Sequence, residues 1–190
     1  MDTTRTFVAV FPPADVVARI ATAIDALRRP GDGVGWVHTP NLHYTLRFLG
    51  DLEPERLAAA RRAAARAAGE CSPFSVRLGA PGLFPDARRP RVLWLGAAEG
   101  EGPLTRLAAH LEAALAADGF APADKPFAPH LTLGRVRDAA DGAAVARRFT
   151  DAPPPDALFE VRELVVVKST LDPRGARYEP LARLELGPPA

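Results

Sequence analysis

Apolar positions along the chain fall into short runs with two periods. Thr6-Phe-Val-Ala-Val-Phe11 is β-branched and aromatic and is stopped by Pro12-Pro13, which predicts a buried strand. Pro13 can open a helix over Ala14 to Arg29. There Val16, Val17, Ile20, Ile24 and Leu27 recur on one helical face, and Pro30-Gly31-Asp32-Gly33 ends the run. Val34 to Val37 is a short apolar piece, and Leu42 to Leu49 is a strand-like run closed by Gly50. An Ala-rich helix is predicted from about Pro54 to Ala68, with Arg56, Arg61, Arg62 and Arg66 on its wet face and Gly69 as its stop. Phe74 to Leu78 alternates as a strand, Gly79 to Pro90 reads as a Pro/Gly/Arg loop, and Val92 to Leu95 is a further apolar strand. A helix over Leu104 to Ala117 carries Leu104, Leu107, Ala108, Leu111 and Leu115 on one face and ends at Asp118-Gly119. His130 to Val136 is strand-like, Ala139 to Phe149 a short helix, and Asp151 to Pro155 a rigid turn. Leu158 to Lys168 and Tyr178 to Leu186 are two final strands joined by a polar loop through Pro173-Arg174-Gly175.

The order strand, helix, loop, His-containing strand, helix, strand runs from Phe7 to Leu78 and again from Val92 to about Val167. His43 follows Phe7 at nearly the distance at which His130 follows Val92, so two related halves would place these histidines in equivalent positions. The expectation is a single domain over residues 1–190, with pseudo-repeats at roughly 6–79 and 91–168 and a C-terminal strand over 178–186. The same alternation fits a parallel, doubly wound sheet. No Gly-rich phosphate loop follows the first strand, so the nucleotide-binding form of that fold lacks support.

Composition narrows the class. The 190 residues carry 24 Lys+Arg against 23 Asp+Glu and are 47% hydrophobic, as in an ordinary globular protein and unlike a basic nucleic-acid wrapper. The single cysteine, Cys71, excludes an intramolecular disulfide and a thiolate metal cluster, and makes a reducing, cytoplasmic setting the expectation. The first residues lack the pattern of a secretion signal, and no apolar run approaches the roughly 20 residues of a membrane span.

Two segments carry candidate chemistry: His43-Tyr44-Thr45-Leu46 and His130-Leu131-Thr132-Leu133. Residues i and i+2 of a strand share a face, so each projects an imidazole and a hydroxyl to one side and apolar neighbours to the other. Facing each other, two such strands suit phosphoester chemistry. One histidine would act as base and the other as acid, while the threonine hydroxyls stabilise non-bridging oxygens. Arg135 could add a positive fork, but strand alternation places it on the opposite face unless a bulge or bend occurs near Gly134. A lone His-x-Thr is more often a structural hydrogen-bonded pair; two copies at matching places in a repeat reverse that weighting. Two histidines plus a carboxylate could bind zinc, yet neither motif contains an acidic residue and no His-x-x-x-His or Gly-x-Ser-x-Gly occurs. His38 and His110, Trp36 and Trp94, and Arg88, Arg89 and Arg91 carry less weight: turn, helix, core and solvated loop are their default roles.

With Arg5-Thr-Phe-Val-Ala-Val10, Val34 to Gly50, Phe84-Pro85, Arg89 to Gly96, Lys125 to Arg135 and Ser169 to Tyr178, the chain resembles the two-histidine (2H) phosphoesterase superfamily. Within it, the likeness is greatest to the bacterial and archaeal RNA 2′,3′-cyclic phosphodiesterases, historically called 2′-5′ RNA ligases. The resemblance implies a bilobal α+β fold, each lobe an antiparallel sheet flanked by helices, with the active-site cleft between them. It also implies His43 as proton donor to the leaving 3′ oxygen, His130 as proton acceptor from water, and a 2′-phosphomonoester product. Thr45 and Thr132 would hold the phosphate, with Arg135 and Phe48 lining the pocket. No metal or organic cofactor is implied; the implied partners are RNA ends or small cyclic nucleotides, with no membrane and no obligate protein partner, the chain being a monomer. Reversible 2′-5′ ligation is a linked activity of such proteins. The alternatives are a non-catalytic RNA-end binding module, or the same chemistry on 2′-5′ oligonucleotides or an ADP-ribose cyclic phosphate. Lys125, Gly134 and Tyr44 depart from the family pattern, standing where Arg, Ala and a smaller residue are common.

Overall fold

A computed structural model describes residues 2–137, 139–173 and 175–187; Arg174, part of the expected polar loop, lies outside them. In chain order the elements are β1 (Thr4–Val10), α1 (Ala14–Leu27), β2 (Val34–Trp36), β3 (Tyr44–Leu52), α2 (Pro54–Gly69), β4 (Phe74–Phe84) and β5 (Val92–Glu99). They continue with α3 (Glu101–Ala117), β6 (Leu131–Val136), α4 (Ala139–Asp151), β7 (Leu158–Val161), β8 (Glu163–Thr170) and β9 (Arg177–Glu185). A single 3-10 turn, Thr39–Asn41, precedes β3.

β5 runs on to Glu99 and α3 begins at Glu101, both beyond the expected bounds, and three further differences shape the sheet. β3 does not stop at Gly50: that glycine, at φ 75°, sits at a strand irregularity and the strand runs on to Leu52. β4 continues through the first half of the expected loop, to Phe84. Its glycines serve close packing rather than a turn, since a Cβ on Gly82 would lie 2.2 Å from the Trp94 ring and one on Gly79 would strike the Ala97–Ala98 backbone. The run Leu158 to Lys168 is two strands separated by Arg162, β7 pairing with β4 and β8 with β1.

The strands pair antiparallel in the order β7-β4-β5-β6-β3-β1-β8-β9, with β2 added on β6. This rules out the doubly wound alternative and gives the expected α+β class. Two half-sheets, β3-β1-β8-β9 and β6-β5-β4-β7, meet at one residue pair, Tyr44 opposite Leu131. The one-residue connection at Arg162 joins strands that stand far apart in this order, which requires the sheet to curl.

Helices cover the outer face. α1 buries Val16, Ile20, Ile24 and Leu27, and α3 buries Leu104, Leu107, Leu111 and Leu115, each such side chain contributing about 1.5–3 kcal/mol. α2 buries only alanines (59, 60, 63, 64, 67 and 68), which lets it lie close against α3 and the β1, β8 and β9 strands. β1 and β8 are apolar on both faces. Val8, Val10, Leu164 and Val166 enter the main core, while Phe7, Ala9, Val165 and Val167 form a second, small cluster on the inner face with Phe11 and Tyr178. No helix among the described residues is long and apolar enough to cross a membrane.

Candidate active site

His43 and His130 each occupy the residue just before a strand, β3 and β6, and the Tyr44–Leu131 pair is where those strands touch. In that register His43 is set toward Thr132 and Thr45 toward His130, all on the inner face. The alternation is complete: Tyr44, Leu46, Leu131 and Leu133 are buried toward the helices, while both His-Thr pairs remain partly open. Tyr44 accommodates its bulk by reaching across the outer face, where its hydroxyl donates to the Gly96 carbonyl at 3.0 Å and burial pushes its phenol pKa up.

The Nδ1 of His43 lies 2.6 Å from the Asn41 carbonyl, and that of His130 lies 2.8 Å from the Ala128 carbonyl. A carbonyl can only accept, so both Nδ1 atoms carry a proton and each Nε2 is left for the cleft. In His43 this Nε2 meets the Thr45 hydroxyl at 2.7 Å. The Asn41 side chain in turn donates to the Ala176 carbonyl at 2.6 Å, tying the turn that orients His43 to the β8–β9 connection.

The two imidazoles stand in different surroundings. Phe7, Phe11 and Tyr178 enclose His43, with centroid distances of 4.9, 5.4 and 5.4 Å. Burial in this cage pushes its pKa down to about 4; the Asn41 carbonyl opposes the shift, and the charges of His130 and Arg135 add to it. Among the described residues His130 has T-shaped contacts with Phe84 and Trp94, at 5.2 and 6.3 Å.

Arg135 reaches the inner face through the bend that alternation requires. Trp94 pairs with Thr132 and Leu93 with Gly134, leaving Leu133 as an extra residue, so Leu133 and Gly134 both face the helices and Arg135 turns inward. A Cβ on Gly134 would lie 2.8 Å from Val34 and 3.2 Å from the Trp36 ring, which accounts for glycine there. β3 repeats the device: Ala9 pairs with Thr45 and Val8 with Arg47, leaving Leu46 as the extra residue. Arg47 thereby faces Glu112 of α3 at 3.2 Å and Phe48 turns inward. Phe48 is 48% exposed and lies at the rim, with the Arg5 guanidinium 4.6 Å above its ring. The positive charge of Arg135 is felt at both His43 and Tyr178.

Sequence reasoning did not single out Phe7, Phe11 or Tyr178 for the site. Phe7 and Phe11 share the parity of Ala9 on a strand buried on both faces, where the run alone does not show which face is functional. His110 lies away from the cleft, paired with Glu70 at 2.6 Å, and His38 closes the 3-10 turn through its carbonyl. Among the described residues no three His, Cys, Asp or Glu side chains converge as a metal site would need.

The fold is that of the LigT-like phosphoesterases. It superimposes on the crystal structure of Escherichia coli LigT complexed with 3′-AMP at a TM-score of 0.78 and 28% identity, covering 97% of this chain and 99% of that one. The family model of the 2′-5′ RNA ligase superfamily matches residues 12–173, and the chain belongs to that superfamily. An RNA 2′,3′-cyclic phosphodiesterase of Aquifex aeolicus is 31% identical over 98% of this chain and all of its own length. One of Geobacillus stearothermophilus is 32% identical over 80% of this chain, a match that spans 47% of that longer protein.

Proposed function

We propose that the protein hydrolyses RNA 2′,3′-cyclic phosphate ends to 2′-phosphomonoesters without a metal, His43 and His130 acting as acid and base. The observation that carries this reading is the fixed tautomer of both rings: each Nδ1 proton is held by a backbone carbonyl, and the two Nε2 atoms belong to motifs joined at one residue pair. The relatives named as RNA 2′,3′-cyclic phosphodiesterases support it.

In the proposed reaction the cyclic phosphate sits between the motifs, its non-bridging oxygens accepting from the Thr45 and Thr132 hydroxyls and from Arg135. Water attacks phosphorus and His130 Nε2 takes its proton. The bond from phosphorus to O3′ breaks, His43 Nε2 gives a proton to O3′, and the phosphate stays on O2′. A 5′-hydroxyl in place of water would form a 2′-5′ linkage by the same proton transfers, which is the ligase reaction. The partner is an RNA end, and the expected setting is cytoplasmic.

The low pKa of His43 favours one competing order, in which the neutral His43 is the base and His130 the acid. A 2′,3′-cyclic substrate with sulfur at the 3′ bridging position separates the two, because a thiolate leaves without a proton. Under the order proposed, His43→Ala regains turnover on this substrate and His130→Ala does not. Rescue of His130→Ala alone would reverse the assignment, and binding without turnover by the unaltered protein would favour a non-catalytic RNA-end module. Turnover confined to a 2′-5′ oligonucleotide or an ADP-ribose cyclic phosphate would move the chemistry to that substrate.

A further inference from the structure

At the β2 edge, next to the strand that carries Arg135, lies an open groove of about 460 Å³ lined by Arg28, Arg29, Asp32, Gly35, Trp36 and Arg137 among others. Arg137 stands one residue past the end of β6, where its amide still donates to the Gly33 carbonyl at 2.7 Å; continued extended backbone sets it two residues after Arg135 on the same face, roughly 6.6 Å further along. Its guanidinium lies over Gly35. Gly35 pairs with Arg135 across β2 and β6, so a side chain at position 35 would stand beside that of Arg135 on the inner face. Arg137 fills that space instead: its Nε and Nη2 lie 2.8 and 3.0 Å from where a Gly35 Cβ would be.

Among the described residues the groove lining is cationic at short range. Asp32 is its one carboxylate among the lining residues, and it is engaged elsewhere, accepting from the Arg29 and Val34 amides at 3.1 Å and facing Arg148 at 3.7 Å. Arg29 donates to the Ala26 and Arg28 carbonyls at the end of α1, and Arg28 stands 3.9 Å from an exposed Asp25. No carboxylate among the described residues pairs with Arg137. On a chain whose formal charge is only +1, three arginines around one engaged carboxylate give the described lining a local excess of positive charge.

We infer that this groove binds the internucleotide phosphate immediately upstream of the reacting end, with Arg137 as its principal contact, so that the preferred substrate is a polynucleotide terminus rather than a free nucleotide. The inference rests on the cyclic phosphodiesterase reading. The step from Arg135 to Arg137 is close to the step between consecutive phosphates of an extended strand. Phosphate contacts of this kind position a strand without reading its bases, so the site predicts a gain from length and none from sequence.

The test compares kcat/KM for adenosine 2′,3′-cyclic phosphate with that for the ApA dinucleotide ending in the same cyclic phosphate. The unaltered protein should prefer the dinucleotide. Arg137→Gln should lower that preference about tenfold and reduce the salt dependence of the dinucleotide reaction by about one phosphate contact. Gly35→Ala should do the same by displacing the guanidinium. With no change to the protein, a dinucleotide whose internucleotide linkage is an uncharged methylphosphonate should lose the advantage. Arg62→Gln, on the outer face of α2, should leave the preference where it was. Equal rates on both substrates, or a preference unmoved by Arg137→Gln and by the methylphosphonate, would overturn the site while leaving the catalytic reading intact. Absence of turnover on either substrate would overturn the reading on which the site rests.

Discussion

The donor role proposed for His43 requires a proton that burial among Phe7, Phe11 and Tyr178 withholds. With the imidazole pushed down to about 4, only about one molecule in a thousand carries that proton at pH 7. Loading it therefore costs about 4 kcal/mol, at 1.36 kcal/mol per pH unit. The substrate can supply this amount. One negative charge about 4 Å from the ring contributes about 4 kcal/mol at an effective dielectric constant of about 20. The phosphate also offsets the charges of Arg135 and His130, both of which depress His43. The perturbation is the addition of a non-hydrolysable cyclic phosphonate, which brings one fixed negative charge. The assay is nitrogen NMR of the His43 ring at pH 7, with calorimetry in buffers of different ionisation enthalpy. The account predicts that Nε2 becomes protonated on binding, with uptake approaching one proton per site. Arg135→Gln should raise the His43 pKa of the free protein, because it removes a like charge. An Nε2 that stays bare in the complex, with no proton uptake, would refute the donor role of His43.

Three further outcomes follow from the same packing. The unfolded chain binds a proton at residue 43 near pH 6.5 and the folded cleft resists until about 4, so the buried imidazole leaves stability intact above pH 6.5. It then removes about 3 kcal/mol as pH falls to 4; urea unfolding of the protein and of His43→Asn at pH 7 and 4 should show that difference, and parallel pH dependences would contradict it. Gly82→Ala would force a Cβ against the Trp94 ring beside His130; a loss of about 1–3 kcal/mol and reduced turnover are expected, and an unchanged melting temperature would show that the contact relaxes freely. Tyr44→Phe removes the donor to the Gly96 carbonyl that ties β3 to β5 beneath the cleft, costing about 1–3 kcal/mol in thermal unfolding; a neutral effect would mean that water replaces the hydroxyl.

How much of this was legible in the residues depended on whether the information was local. The helical stripes of α1 and α3 are set by side-chain period, and the structure buries Val16, Ile20, Ile24 and Leu27 as their spacing requires. The paired His-x-Thr-Leu segments were likewise readable, since alternation fixes which side chains share a face. The extension of β4 was hidden because Gly79 and Gly82 are there for contacts made by β5, and such a glycine looks like a turn until its neighbour is known. The break at Arg162 was hidden because Phe159, Glu160, Val161 and Arg162 alternate as one strand would and run straight into the apolar residues of β8; only the pairing partners differ. The bulge that brings Arg135 inward could be stated as a condition from the sequence, but its place at Leu133 is set by the pairing with β5. Arg137 escaped notice because its position depends on Gly35, a residue defined by what it lacks.

The most direct test of two imidazoles sharing one phosphorus centre is turnover of adenosine 2′,3′-cyclic phosphate followed by phosphorus NMR, for the protein, His43→Ala and His130→Ala. The account predicts adenosine 2′-phosphate as the single product, unaffected by a chelator, and a loss of about 10²–10⁴-fold in each variant. Full activity in either variant, or release of the 3′-phosphate, would contradict it.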